Sequence, residues 1–173
     1  MKTSVLNGMK VLAVDDEPDV LDTLKEIILL EAPECKIETA TRYEEACKRL
    51  TTRLYDLVIL DIMGVQGFDL LKIASDRDFP SVVLTAHELN PEALKRSIEL
   101  GARAYFPKYK LSDLVPYLES VLTTDYVQGW GNMFQELRGH FDSRFGNQWM
   151  ETDKPFWSRF EAQIASHKKK LIE

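Results

Sequence analysis

The sequence has 173 residues, of which 45% are hydrophobic and 29% are charged, and its formal net charge is −6. This composition excludes a wholly disordered chain and indicates a soluble globular protein with one ordinary domain and a small addition. A membrane-spanning helix needs about 20 apolar residues in a row, and the sequence contains no such run. The first ten residues lack the apolar segment of a secretory signal. We therefore expect a cytoplasmic protein.

The charge is unevenly distributed along the chain. Residues 1–124 contain 21 acidic and 15 basic side chains, whereas residues 125–173 contain seven of each. Neither part has the basic excess that neutralises a phosphate backbone, so we expect no direct binding of nucleic acid. The two cysteines, Cys35 and Cys47, have neither metal-binding nor disulfide spacing, which predicts small buried side chains.

Residues 1–124 alternate between strand-like and helix-like segments. Apolar runs predict five strands, at residues 9–14, 36–39, 57–60, 81–84 and 102–106. Apolar residues at helical spacing predict a helix after each strand, at residues 20–30, 41–50, 67–74, 90–100 and 112–122. Thr41 and Glu44 have the spacing of a capping box at the start of the second helix. Asn90 and Pro91 suit the start of the fourth helix, and Ser112 is expected to open the fifth.

This alternation predicts an α/β fold in which a parallel sheet has right-handed crossovers and helices on both faces. In such a sheet the functional side chains collect at the carboxyl ends of the strands. The side chains at these ends are Asp15, Asp16 and Glu17 after the first strand, Asp61 after the third, Thr85 after the fourth and Lys108 after the fifth. Carboxylates that meet at one edge repel each other unless a cation intervenes, and oxygen ligands suit Mg2+. The hydroxyl and the ammonium suit a phosphoryl group.

Each of these side chains also has an ordinary structural explanation when it is taken alone. The acids after the first strand could favour the start of a helix, and Asp61 could be a polar loop residue. Thr85 could be a simple strand residue, and Lys108 could be a solvated lysine. The joint arrangement at the ends of the predicted strands is much harder to obtain by chance.

Four segments carry a resemblance to a known family: VDDEPDV at 14–20, YDLVILDIM at 55–63, VVLTA at 82–86 and LGARAYFPK at 100–108. With these segments and their spacing, residues 8–124 resemble the receiver domains of two-component response regulators. The resemblance implies a flavodoxin-like, doubly wound sheet of five parallel strands in the order 2-1-3-4-5. It divides the chain into a receiver domain at residues 1–124 and a helical, aromatic-rich extension at residues 125–173.

The resemblance implies that Asp61 accepts a phosphoryl group from a histidine kinase or a phosphotransfer protein. The chain would then be a signalling protein, not an enzyme that acts on a separate substrate. The resemblance also implies Mg2+ as cofactor, with Asp16 and Asp61 as direct ligands and Asp15 acting mainly through water. The backbone carbonyl of Met63 would complete the protein ligands.

The same resemblance implies a switch around the phosphorylated residue. Thr85 would donate a hydrogen bond to the aspartyl phosphate, and Lys108 would pair with it. Tyr105 would turn inward as Thr85 shifts, and this would alter the face formed by the fourth helix and the fifth strand, which controls association with a partner or with a second copy. Met63 and His87 would influence how fast the phosphate hydrolyses, although His87 taken alone suggests a solvent-facing loop residue.

The sequence departs from the usual family pattern at two places. Position 65, in the loop after Asp61, is valine where the family commonly has proline, and the glycines at 64 and 67 indicate a shorter loop. The family lysine is usually followed by proline through a cis bond, whereas here Pro107 precedes Lys108. A cis bond without proline costs about 2.5–4 kcal/mol, so we expect a trans bond between Lys108 and Tyr109.

Two other functions use similar residues. A Mg-dependent hydrolase of the haloacid dehalogenase type also uses Asp, Thr and Lys, but Asp61-Ile62-Met63 lacks the second aspartate of its DxD motif. A degenerate receiver that acts as a phosphorylation-independent interaction scaffold remains an alternative because the loop after Asp61 is short. The full set of acidic, hydroxyl and ammonium groups disfavours this scaffold.

Residues 125–173 hold all three tryptophans and nine of the 17 aromatic residues, which is unlike a disordered linker. Two apolar stripes at helical spacing predict a helical hairpin, with the first at residues 130, 134, 137, 141 and 145 and the second at 157, 160, 164 and 171. The hairpin is too short for its own core, so it packs on its own receiver or on a second copy or another partner protein. His140 and His167 are expected on exposed polar faces.

Overall fold

The structure is a computed structural model that describes residues 2–86 and 90–172, with side chains described up to residue 166. The expectations for His87 and for the side chains of His167 and Leu171 lie outside these described residues. None of the helices described is both long and apolar enough to pass through a membrane.

The first part of the chain forms one parallel sheet of five strands in the order β2-β1-β3-β4-β5. The strands are β1 Lys10–Val14, β2 Lys36–Ala40, β3 Leu57–Asp61, β4 Ser81–Thr85 and β5 Ala104–Pro107. The helices are α1 Pro18–Glu31, α2 Tyr43–Thr52, α3 Gly67–Asp76, α4 Pro91–Glu99, α5 Leu114–Thr123, α6 Tyr126–Phe145 and α7 Lys154–Ile172. Two 3-10 turns, Lys108–Asp113 and Trp149–Asp153, precede α5 and α7. The predicted α/β fold, its strand order and its C-terminal helices are confirmed.

Burial explains why the central strands have continuous aliphatic sequences. Every residue of β3 and β4 is buried, because helices cover both faces of the sheet. α1 contacts α5 on one face, whereas α2 contacts α3 and α3 contacts α4 on the other. The edge strand β2 keeps more exposure, and there Glu38 pairs with Lys10 and Arg53.

The helix starts differ from the predictions at two places. Asn90 caps α4 as predicted, since its side chain accepts a hydrogen bond of 2.7 Å from the N–H of Ala93. The capping box at Thr41 is wrong because α2 begins at Tyr43, which leaves Thr41 outside the cap; Arg42 occupies the cap position without a side-chain capping bond to any described residue. The prediction that Ser112 opens the fifth helix is also wrong, because Ser112 lies within the first 3-10 turn and α5 begins only afterwards. All peptide bonds between described residues are trans, as expected for Lys108–Tyr109.

Residues 125–173 are called the tail below, and their described part forms the predicted hairpin of α6 and α7. The two apolar stripes face each other: the rings of Phe134 and Trp157 stack at 5.8 Å, and Trp130 contacts Phe160 at 5.9 Å. α6 ends before Gly146, whose φ of +77° favours glycine. Phe145, the last residue of the first stripe, remains 43% exposed.

The tail packs on its own receiver, which is one of the alternatives that the apolar stripes left open. α6 lies against β5 and α5, and the 3-10 turn before α7 contacts α4 through Asp153 and Lys95. We call this covered surface the α4–β5–α5 face. His140 is not an exposed polar residue as predicted: it is half-buried, and its Nε2 atom is buried without a hydrogen-bond partner among the described residues, because α6 turns this side chain toward the receiver.

Candidate functional site

The sheet brings the polar strand ends to one edge. Asp15 follows β1, Asp61 ends β3 and Thr85 ends β4, while Lys108 follows β5 directly. The parallel register places Asp61 opposite Leu84 and Thr85 opposite Pro107, so the ends of β3, β4 and β5 are level. The carboxyl edge of the sheet therefore collects the side chains that the strand-end rule selects.

Three carboxylates form the centre of the site. One oxygen of each of Asp15, Asp16 and Asp61 lies within 4.8 Å of the others. Asp15 is fully buried and Asp61 is 4% exposed, whereas Asp16 faces solvent. Backbone donors orient the two buried groups: the N–H of Glu17 donates to Asp15 at 2.9 Å, and the N–H of Met63 donates to Asp61 at 3.3 Å.

The ammonium of Lys108 lies between the two buried carboxylates. Its Nζ is 2.7 Å from Oδ2 of Asp15 and 3.4 Å from Oδ2 of Asp61, and the exposed Glu17 carboxylate is 3.8 Å away. The side chain of Lys108 is only 15% exposed, so water screens these pairs weakly. The position of Pro107 before this lysine does not prevent its reach into the site.

Burial and charge act together on the ionisation of this cluster. Burial raises the pKa of Asp15 above its ordinary value, and the neighbouring charge of Asp61 acts in the same direction, while Lys108 and the N–H of Glu17 oppose the shift. Burial disfavours the charge on Lys108, but Asp15 and Asp61 outweigh it and raise the pKa of the ammonium. Lys108 therefore keeps its proton, and Asp15 binds a proton more readily than an ordinary aspartate does.

Two glycines after Asp61, one in the loop and one at the start of α3, lie where a side chain would meet neighbouring atoms. A Cβ atom on Gly64 would lie 2.4 Å from Oδ1 of Asp16 and 2.7 Å from Oδ2 of Asp61, which is between the carboxylates. A Cβ on Gly67 would lie 2.4 Å from the backbone oxygen of Asp61. Sequence reasoning used these glycines only to judge the loop length and missed their steric role. The sequence feature that could have predicted this role is the pair of glycines soon after the aspartate at the end of a strand.

The predicted switch residues are buried beside the cluster. The hydroxyl of Thr85 donates to the carbonyl of Ala86 at 2.9 Å. Tyr105 lies in β5 and is 1% exposed, and burial raises its pKa to about 12 while the nearby Thr85 hydroxyl opposes the shift. No hydrogen bond of acceptable geometry reaches the Tyr105 hydroxyl from any described residue.

The donor set fits a hard divalent cation such as Mg2+. All three acidic side chains offer oxygen, and Mg2+ prefers oxygen ligands and commonly uses one or two carboxylates. Oδ2 of Asp15 is buried and, despite its ion pair with Lys108, has no well-directed hydrogen bond among the described residues. The space that a Cβ on Gly64 would fill lies between Asp16 and Asp61.

Comparison with known proteins places this geometry in a family. The family model of the response regulator receiver domain matches residues 11–119. The two-component response regulator ARR18 of Arabidopsis thaliana is 36% identical over 108 residues, which is 58% of this chain and 16% of that protein. The sensory transduction protein LytR of Staphylococcus epidermidis is 36% identical over 104 residues, which is 58% of this chain and 40% of that protein.

A solved structure shows the same fold. The crystal structure of a CheY-like response regulator receiver domain protein from Methanospirillum hungatei has a TM-score of 0.60 at 24% identity, covering 66% of this chain and 93% of that chain. The chain spans less than half the length of the curated relatives named above. The family match ends before α6. Because the match includes more than half of the sequence and the four strand ends that carry the site, the chain belongs to the family of response regulator receiver domains.

Proposed function

We propose that this chain is a phosphoacceptor of a two-component phosphorelay, in which Asp61 receives a phosphoryl group in a Mg2+-dependent reaction. The donor would be a cytoplasmic histidine kinase or phosphotransfer protein. The observation that supports this most strongly is the ammonium of Lys108, which lies 2.7 Å from Asp15 and 3.4 Å from Asp61 where three carboxylates meet. An ammonium in this position can neutralise an incoming phosphoryl oxygen.

The proposed chemistry needs little from the protein beyond positioning and charge. A carboxylate oxygen of Asp61 forms the new bond to phosphorus while the bond from phosphorus to the donor atom breaks, and the donor leaves with the bonding electrons. The N–H of Met63 orients Asp61, and Lys108 stabilises charge on the transferred group. Asp15, Asp16, Asp61 and the carbonyl of Met63 would hold Mg2+. When bound, Mg2+ would offset the negative charge of the carboxylates and the phosphoryl oxygens.

We further propose that Thr85 and Tyr105 transmit the change. The hydroxyl of Thr85 would leave the carbonyl of Ala86 and donate to the phosphoryl group, because a charged acceptor makes the stronger hydrogen bond. Tyr105 lies under the same edge and would follow this movement. The outcome would be a shift in the population of two arrangements of α4 and β5, which controls association with a partner or a second copy. Residues 1–124 would form the receiver unit and 125–173 the unit that responds.

The scaffold alternative is less well supported by the same geometry. A scaffold needs no buried lysine between two buried carboxylates. Burial of such charges costs free energy, which favours a function that requires them. The short loop after Asp61, on which the alternative rested, still directs the N–H of Met63 toward the Asp61 carboxylate.

The proposal is tested by incubating the chain with acetyl phosphate and Mg2+ and measuring its intact mass. We expect a single phosphoryl adduct that is absent from Asp61→Asn and from a sample with a chelator. Asp69→Asn is the matched control, since Asp69 is an exposed acid in the first turn of α3. Equal mass spectra with and without Mg2+ in the unsubstituted chain would favour the scaffold.

A further inference from the structure

A cleft lies between the tail and the receiver, beside the first 3-10 turn. Its volume is about 400 Å³, and small-molecule sites in proteins commonly have about 300–1,000 Å³. Met133 and Leu137 of α6 form one wall, and Phe106 and Pro107 of β5 belong to the other. Because the walls come from the tail and from the receiver, the cleft requires both parts of the chain.

The inner surface of the cleft is apolar and aromatic. Phe106, Pro107, Met133 and Leu137 are buried residues that border it. The ring of Tyr117 packs on Phe106 with 4.5 Å between the ring centres, and its hydroxyl contacts Sδ of Met133 at 3.1 Å. Aromatic rings and a thioether favour contact with another flat apolar group. The inner surface therefore fits a small aromatic ring.

The mouth of the cleft carries an excess of negative charge. Asp113 of the first 3-10 turn and Glu136 of α6 border it together with Lys110, and all three side chains are exposed. Two carboxylates and one ammonium leave one negative charge, and the whole chain has a formal net charge of −6. Complementary charge favours the right partner and repels the wrong one, so the mouth favours a cation over an anion.

The imidazole of His140 also borders the cleft, one helical turn after Glu136. Its Nε2 atom is buried and has no hydrogen-bond partner among the described residues. Nearly all buried polar atoms in proteins are hydrogen-bonded, and an unpaired one costs free energy. A small turn of the ring toward a polar group in the cleft would give this atom a partner. The fitting ligand therefore carries a hydrogen-bonding group in addition to its cation.

We propose that the cleft between α6 and β5 binds a small aromatic amine. The aromatic ring lies between Phe106 and Leu137, the ammonium lies at the mouth near Asp113 and Glu136, and a hydroxyl or similar group pairs with His140. This inference goes beyond the proposed function and does not depend on it, because binding requires no phosphoryl group.

The location of the cleft connects it to the acidic site. Pro107 and Tyr109, the two chain neighbours of Lys108, both border the cleft. A ligand in the cleft therefore contacts the residues on either side of the lysine that lies between the buried carboxylates. It also contacts the tail and the receiver at once, so binding stabilises the docked position of the tail.

The experiment uses the full chain without a phosphoryl donor, with tyramine as the probe. The chain is labelled with carbon-13 in its methionine methyl groups, so that Met133 reports on the cleft and Met9, which precedes β1, serves as an internal control. In an NMR titration we expect a saturable shift of the Met133 signal, with a Kd below about 1 mM, and no shift of the Met9 signal.

Three related probes test the chemical class of the ligand. Phenethylamine lacks the hydroxyl of tyramine and should bind about fivefold more weakly, because one buried hydrogen bond is lost. The carboxylate 4-hydroxyphenylacetate reverses the charge, and butylamine has no ring. Each of these two should bind at least about tenfold more weakly than tyramine.

Variants at the mouth test the charge. The double variant Asp113→Asn with Glu136→Gln removes both carboxylates from exposed positions, so the fold should be retained. It should weaken tyramine binding by about tenfold. Glu151→Gln is the matched control, because Glu151 is an exposed acid in the second 3-10 turn and does not border the cleft. It should bind tyramine as the unsubstituted chain does.

His140→Phe tests the hydrogen bond, since it keeps an aromatic ring and removes both ring nitrogens. The variant should bind tyramine and phenethylamine equally well, and its affinity for phenethylamine should stay within about twofold of that of the unsubstituted chain. A merely structural role of His140 would weaken the binding of both probes by the same factor, which would overturn the assigned pairing.

Three results would overturn the proposal as a whole. The first is the absence of a saturable Met133 shift with tyramine at several millimolar. The second is tighter binding of 4-hydroxyphenylacetate than of tyramine, because the mouth would then select an anion. The third is an unchanged tyramine affinity in the double variant, because the probe would then bind outside the cleft.

Discussion

Replacement of Lys108 by methionine tests the electrostatic balance of the site. The substitution keeps most of the apolar stem and removes the ammonium that separates Asp15 from Asp61. At an effective dielectric constant of about 20, a unit charge at 2.7 Å from Asp15 and 3.4 Å from Asp61 gains about 6 and 5 kcal/mol of attraction, from which the cost of burial has to be subtracted. Loss of one partner from a buried ion pair costs about 3–5 kcal/mol, and the slight exposure of Lys108 favours the lower value.

The expected effect is large enough for a melting experiment. A loss of about 3 kcal/mol in a chain of this size lowers Tm by about 6–12 °C. We expect this decrease for Lys108→Met in buffer with a chelator, and a smaller decrease with Mg2+, which can replace the missing positive charge. Lys110→Met is the matched control, because Lys110 lies in the same 3-10 turn and is exposed.

A second substitution identifies the cause of the decrease. Asp15→Asn in the Lys108→Met background removes the buried carboxylate that has lost its closest cation, so it should restore a large part of the lost Tm. The reasoning is refuted if Lys108→Met melts with the control, or if Asp15→Asn lowers the Tm of that background further.

Four other substitutions have expected outcomes. Gly64→Ala should weaken Mg2+ binding, measured by calorimetry, at least about tenfold, because the added Cβ would lie 2.4 Å from Oδ1 of Asp16. Tm should change little because the Asp16 side chain is exposed. Unchanged affinity would contradict the steric role of the glycine. Burial raises the pKa of Asp15, so this carboxyl stabilises the fold below its unfolded pKa and loses that contribution as pH rises through its folded pKa. Asp15→Asn leaves Lys108 paired with Asp61 at 3.4 Å, so it should raise Tm in metal-free buffer at neutral pH and much less near the unfolded pKa of 3.8. Equal effects at both pH values would count against it. In a urea titration, Gly139→Ala should stabilise the chain by about 0.5–1 kcal/mol because nothing lies within 4 Å of the added Cβ. Gly146→Ala, at φ +77°, should destabilise it in the same titration. A destabilising Gly139→Ala would show that helix propensity does not limit the stability of α6.

The fold was largely predictable because its elements have strong local patterns. The aliphatic runs of β3 and β4 are continuous since both faces of these strands are covered, and Asn90 before Pro91 is an unambiguous helix start. The predicted capping box at Thr41 is wrong because the same spacing of Thr and Glu occurs here although the helix begins one residue later. The 3-10 turn before α5 has no distinct pattern, so Ser112 resembled a cap although it lies inside that turn.

The candidate site was predictable in its members but not in its contacts. Parallel strands bring their carboxyl ends to one edge, so distant residues such as Asp15 and Asp61 could be grouped from the chain alone. The distance of Lys108 from each of them depends on the path of the chain after β5, which no local pattern fixes. The docking surface of the tail was not predictable either, since an apolar stripe indicates burial but not the covering surface. That choice depends on pairs such as Lys95 with Asp153, which come from different parts of the chain.

The connection between α5 and α6 has a further consequence for any partner of the receiver. Only Thr124 and Asp125 separate the two helices, so the tail cannot move far from the face that it covers. A short tether of this kind gives an effective concentration in the range of about millimolar. A free partner that competes for the same face at micromolar concentration starts at a disadvantage of roughly a thousandfold. A partner therefore displaces the tail only if its affinity for this face exceeds that of the tail by about the same factor. Weaker partners bind only when the tail has left the face.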